Sequence, residues 1–121
     1  ATGGLLSNLS VSGALTIGAS GSITGNNFSL TQSGGNIAGW LIQSGKLASA
    51  PANNARIELD DSLSRVSIIS NLNETKVAMG YLNNLPKNDG TGNWGANNYG
   101  FWVQQGDRLV IDGDTEYVDG D

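Results

Sequence analysis

The feature that most constrains this chain is an alternation of apolar and small polar residues, broken at short intervals by glycine. Leu9 and Val11, Leu15 and Ile17, Ile23, then Phe28 and Leu30 recur at every second position, with Ser or Thr between them and Gly13, Gly18, Gly21 and Gly25 separating the runs. A period of two sends one set of side chains to each face of an extended strand, whereas a helix would need apolar residues three and four apart. The glycines supply the positive φ of tight turns, so the segment reads as strands of a few residues joined by turns. Strands this short are marginal unless something covers their apolar side.

The rest of the chain follows the same plan. After the break at Ser33-Gly34-Gly35-Asn36, residues 37–49 read as a strand, a turn centred on Gly45 and a second strand. Residues 55–68 repeat this, with Ile57 and Leu59 facing one way and Glu58 and Asp60 the other. Pro51, among Ala50, Ala52, Asn53 and Asn54, marks the loop between the two hairpins. Lys76–Leu82 is a further strand, and the run from Asn83 to Asn93 is a loop. Tyr99–Val103 then leads through Gln105-Gly106-Asp107 into Arg108–Ile111 as a final hairpin, after which Asp112-Gly113-Asp114 turns toward Tyr117 and Val118. The chain is therefore expected to be all-β and elongated, built from short strands and hairpins. It divides into a β-shaft with glycine turns (1–35), tandem hairpins (36–75), and a β module with a Gly/Asn/aromatic loop (76–121) that stops within an acidic run, as a fragment of a longer protein would.

Energetics point to assembly. Ordering each residue costs about 1–2 kcal/mol of backbone entropy, and this chain has 18 Gly among 121 residues, many beside its apolar positions. The missing burial is expected from neighbouring copies. Loose repetition suits a shaft, in which each unit needs only its neighbours to cover its apolar edge. The net charge of −5 and six scattered Lys and Arg argue against nucleic acid as a partner. No apolar run is long enough to insert into a membrane. The absence of Cys and His excludes disulfides, the usual zinc sites and every nucleophile–His arrangement.

One succession of residues carries a resemblance: Gly34-Gly35-Asn36-Ile37-Ala38-Gly39-Trp40 running on to Leu47-Ala48-Ser49, then Arg56–Asp61, Val77–Leu82 and Tyr99–Val103. Over roughly residues 35–111 the chain resembles modules of bacteriophage tail fibres, tail spikes and tail-tip proteins. The resemblance implies a homotrimer whose chains intertwine into a β-rich rod, located in the virion or otherwise outside the cell. It also implies other tail or baseplate proteins as neighbours, and a tip that binds, or sometimes cleaves, bacterial surface glycan.

Several groups are candidate sites. Trp94, Asn97, Asn98, Tyr99 and Trp102 combine aromatic rings, which stack on sugar faces, with amides that bond hydroxyls, so the 88–102 stretch is a candidate glycan site. The same rings would serve equally as packing under the loop or across an interface. Glu58 and Asp60 pair two carboxylates on one strand face, as glycoside hydrolysis requires, but Arg56 and Arg65 nearby fit an ordinary wet face as well. Asp112, Asp114 and Glu116 alternate oxygen ligands as calcium sites do, although Tyr117 stands where the EF-hand loop needs Gly, and solvated carboxylates in a turn explain them too. No cofactor is expected otherwise.

Leu9, Val11, Leu15, Ile17, Ile23, Trp40, Ile57, Leu59, Val66 and Ile68 are expected to form the core between chains. The function expected is that of a non-catalytic structural fibre or spike module projecting an attachment tip. A carbohydrate-binding module and a fragment of a glycan depolymerase are the alternatives.

Overall fold

The computed structural model describes residues 4–111 and 115–118, the last four and Ile111 as backbone only. Nine strands form one antiparallel sheet in which every strand pairs with its neighbours in sequence: β1 (Ser22–Gly25), β2 (Phe28–Thr31), β3 (Gly34–Ile37), β4 (Trp40–Gln43), β5 (Lys46–Ala48), β6 (Arg56–Asp60), β7 (Arg65–Ile69), β8 (Thr75–Tyr81) and β9 (Tyr99–Val103). β10 (Arg108–Ile111) and β11 (Thr115–Val118) pair with each other as a separate ribbon. The fold is all-β among the described residues, and no helix there is long and apolar enough to cross a membrane.

The sheet is a meander because its turns are short. Ala38 and Gly39 both have positive φ, 49° and 87°, which gives the β3–β4 turn the twist that strands joined by two residues require. The expected hairpins over 37–49 and 55–68 are present as β4–β5 and β6–β7, although Ile37 ends β3 and Ala38 and Gly39 form the turn before β4. Three expectations differ from the structure. The break expected at Ser33–Asn36 is taken up from Gly34 onward by strand β3, paired on both sides. Residues 4–21 contain no strand, only a turn closed by the Gly21 N–H on the Gly18 carbonyl. β9 does not pair with β10: the Gln104 N–H extends the β8–β9 ladder to the Lys76 carbonyl, the Asp107 N–H closes a turn onto Gln104, and β10 takes β11 as its partner.

Register decides which residues share a face, since directly opposed residues of an antiparallel sheet point the same way. One row runs Ile23, Leu30, Gly35, Ile42, Leu47, Leu59, Val66, Met79, Phe101 through consecutive pairings. A second row beside it contains Phe28, Ile37 and Trp40 at one end and Ile57, Ile68, Val77 and Val103 at the other. This face carries no charged residue in the nine strands. The opposite face holds Ser22, Thr24, Lys46, Arg56, Glu58, Asp60, Arg65, Ser67 and Lys76, with Ala48, Ala78 and Trp102.

Burial is the reverse of what that partition suggests. On the apolar face Ile42, Val66, Val77 and Val103 are half-buried, while the rest of the large side chains are exposed, from 38% at Trp40 and Ile57 to 79% at Phe101. On the polar face the register row Ala48, Glu58, Ser67, Ala78, Trp102 is buried throughout. The small members of that row sit among longer neighbours, and over β8–β9 the loop 82–98 folds across it. Ala78, Leu82, Leu85 and Trp102 form a buried apolar cluster there, with Trp94 packed against it.

Close approach fixes one glycine. Gly80 has φ of +127°, and a Cβ there would stand 2.7 Å from the Ser64 carbonyl oxygen and 3.1 Å from the Arg65 Cα. Gly80→Ala is therefore expected to destabilise the protein by about 1–3 kcal/mol, the cost of one strained backbone position. Urea denaturation at fixed protein concentration reads this as a lowered midpoint.

Candidate functional site

The structure offers two places where function can reside: the loop 82–98 with its aromatic residues, and the open apolar face. The loop is held from inside. The Trp94 N–H bonds to the Leu85 carbonyl, the Asn84 N–H to the Trp94 carbonyl and the Lys87 N–H to the Gly92 carbonyl, so the strand-like flanks of the loop pair with each other. At its tip the Asp89 carboxylate accepts from the Thr91 hydroxyl (2.6 Å) and N–H (3.0 Å). These two bonds hold the Asp89 carboxyl below its ordinary value.

The five proposed glycan residues do not converge on one surface. Trp102 is buried and its indole N–H donates to the Pro86 carbonyl at 2.9 Å. Trp94 is half-buried on the same cluster, with the Lys87 ammonium 5.2 Å from its ring centre. Asn97 has φ of 70°, and the Asn98 amide donates to the carbonyls of Gly95 and Ala96, so both shape the turn. Tyr99 lies on the other face of the sheet, beside Tyr81 at 5.2 Å between ring centres, and is 70% exposed. Alternation along β9 sends Tyr99 and Phe101 to one side and Trp102 to the other.

The two carboxylates of β6 have separate tasks. Glu58 accepts from Arg56 Nε at 2.6 Å and Lys46 Nζ at 3.0 Å. Burial alone would raise its carboxyl, but the hydrogen bonds from Arg56 and Lys46 outweigh burial and hold it below the ordinary value. Arg56 also donates to the Asn54 carbonyl and the Asn73 side-chain oxygen, and the Asn73 amide in turn donates to Asn53 at 2.7 Å. This network ties the 51–55 loop to the 70–74 turn across 20 residues of chain. Asp60 caps the β6–β7 turn, accepting from the Ser62 hydroxyl and from the N–H groups of Ser62 and Leu63. Burial, which would raise its carboxyl, is again outweighed by those bonds.

Of the residues proposed for metal, Asp112 and Asp114 lie outside the described residues, and Glu116 stands in β11, where only the backbone is described. Of those proposed as the core between chains, Ile23, Trp40, Ile57, Leu59, Val66 and Ile68 all fall on the apolar face, while Leu9, Val11, Leu15 and Ile17 precede the sheet. Ile37, Trp40, Ile42, Leu47 and Leu59 line one shallow apolar hollow on that face. Sequence reading passed over Ile42, Leu47, Val77, Met79 and Phe101, which register adds to the same surface. No protein-family model, no curated protein and no solved structure matches the chain significantly.

The depressed carboxyls give a pH prediction. A carboxylate whose folded pKa lies below its unfolded value stabilises the fold above the unfolded pKa, about 3.9 for Asp and 4.3 for Glu, and that contribution is lost as pH falls through the folded value. Stability is expected to be level from pH 7 to 5 and to drop below about pH 4. Glu58→Gln should flatten this acid limb and, by leaving Arg56 buried without a counter-charge, lower stability at pH 7 by about 3 kcal/mol. Denaturant titrations across the pH range check both.

Proposed function

We propose that this chain is a structural module of a fibre or spike of the bacteriophage-tail kind, a homotrimer that projects an attachment tip and performs no catalysis itself. The observation that carries the reading is the continuous apolar face, uncharged over nine strands and exposed in the single chain. A contiguous patch of more than a dozen large apolar side chains exceeds what a monomer ordinarily leaves in water and approaches the roughly 800 Å² that one partner contributes to a standard interface. Every charged residue of the nine strands lies on the other face, so copies of the chain can meet through this face without like-charge repulsion.

Dimensions support three copies. Nine strands about 4.8 Å apart make a ribbon about 40 Å long, while strands of four or five residues make it about 15 Å wide. Three such ribbons closed into a triangle place each sheet about 4–5 Å from the axis, half the spacing of about 10 Å at which sheets pack. Sheet twist winds ribbons packed this way around one another, which is how the chains would intertwine. Tail or baseplate proteins would adjoin the rod at one end and a glycan-directed tip at the other, in the virion and outside the cell. The engagement of Glu58 and Asp60 in holding the sheet supports a non-catalytic role.

A receptor-binding reading has one observation in its favour: Tyr99 and Phe101 form an exposed aromatic surface on the edge strand. Fibre assembly would cover these rings, whereas a lectin would leave them open to sugar.

Light scattering is expected to give three times the chain mass of 12.5 kDa, with no folded monomer on dilution. Leu59→Asp, at the centre of the apolar face, should abolish the trimer, whereas Thr24→Asp on the opposite face should leave the mass unchanged. A stably folded monomer whose tryptophan fluorescence responds to bacterial glycan would replace this reading with the receptor-binding one.

A further inference from the structure

We infer that residues 9–17 are two further strands of the same sheet, which pair in a fixed register when the apolar face is covered by sister copies. The inference rests on the fibre reading and deepens it, because it says where the packed interior continues. In the single chain Leu9, Leu15 and Ile17 are 64%, 59% and 38% exposed and belong to no strand. The outer edge of β1 also has no strand against it, so a segment with unsatisfied β pattern stands next to an open edge in the same chain.

Ile17 already leans toward the face. Its Cγ2 would meet a Cβ at Gly21 at 2.6 Å, and it lines one hollow with Ile23 and Leu30. The turn at 18–21, closed by the Gly21 N–H on the Gly18 carbonyl, brings the chain back in the direction an antiparallel neighbour of β1 needs.

Of the registers that keep every apolar residue on the apolar side, we assign the one that sets Ile17 beside Ile23, with which it shares that hollow. Pairing Ile17 with Ile23 sets Leu15 opposite Gly25 and Thr16 opposite Thr24. A three-residue loop at Ser12-Gly13-Ala14 sets Val11 opposite Leu15 and Leu9 opposite Ile17. The first apolar row then begins Leu9, Ile17, Ile23, Leu30, and the second begins Val11, Leu15, Gly25, Phe28. Ser10 and Thr16 join Thr24 and Ser29 on the polar side. A shift of one residue would put Thr16 among the apolar residues and Ile17 outside. Loops of three residues are too short for exchange between copies, so both strands stay with their own chain.

Two measurements on the full chain, at a concentration where light scattering gives the trimer mass, test this. Amide hydrogen exchange across residues 9–17 is expected to be at least about a hundredfold slower than in the same protein unfolded in urea. Ser10→Cys with Thr16→Cys places two thiols opposite each other at a distance a disulfide spans. In glutathione buffer the pair should be oxidised at least about tenfold more favourably in the native trimer than in urea, as a bond within one chain. Fast exchange in a confirmed trimer overturns the inference and leaves the fibre reading standing. Equal oxidation in both states, or bonds between chains, overturns the register. A monomer overturns both the strand pair and the reading on which it rests.

Discussion

Everything in this molecule depends on the register of one antiparallel meander. Because each strand pairs directly with its sequence neighbours, a single choice of register sorts side chains onto two faces, and one slip by a residue would exchange them. The result is a sheet with an uncharged side of Ile, Leu, Val, Met and aromatic residues and a side that carries all the Lys, Arg, Asp and Glu of the nine strands, with Leu41, Ile69 and Trp102 among them. In a single chain the polar side is buried along β5–β9, with Ala48, Ser67 and Ala78 nearly inaccessible, while most of the large apolar side chains of the other side are exposed. Hydrophobic stabilisation of about 25 cal/mol per Å² is thus left largely unrealised until another surface arrives. In the assembly we propose, folding and association would be coupled for that reason.

The polar side does the work of holding the ribbon in shape meanwhile. Arg56, Glu58 and Lys46 bridge β5 and β6, and the Asn53–Asn73 pair joins the two loops beyond them. Such buried pairs contribute little net energy compared with apolar packing, but they penalise any register that separates the partners. The 82–98 loop adds an apolar cluster of its own over β8–β9, the place where Trp102 is anchored by its bond to Pro86. A ribbon stapled on its wet side can present its dry side intact.

Much of this was legible in the residues. Alternation and glycine spacing marked the strands, and the hairpins around Gly45 and Asp60–Ser64 stand where turn chemistry put them. The faces of Ile57, Leu59, Glu58 and Asp60 followed from period two alone. What did not follow was long-range: β8 and β9 meet across a 17-residue loop, and nothing local says that Val77 lies opposite Val103. Tyr99, Phe101 and Trp102 look like one cluster by composition, but alternation along β9 sends Trp102 to the side opposite Tyr99 and Phe101. Residues 9–17 carry the same alternation, yet no strand stands there in the structure. The expected joining of β9 to β10 is also absent, since β10 pairs with β11, and residue types do not announce which neighbour a strand takes.

The central claim is that the apolar face is dry in the native protein while the single chain leaves it open. The chain has no cysteine, so one thiol reports one position. Ile68→Cys on the apolar face and Ser62→Cys at an exposed turn, each reacted with a small maleimide, test the claim most directly. The account predicts that the thiol at position 68 reacts at least about a hundredfold more slowly than the one at position 62 under native conditions, and equally fast once the protein is unfolded. Equal rates in the native protein would show an apolar face open to water, and the account would be wrong.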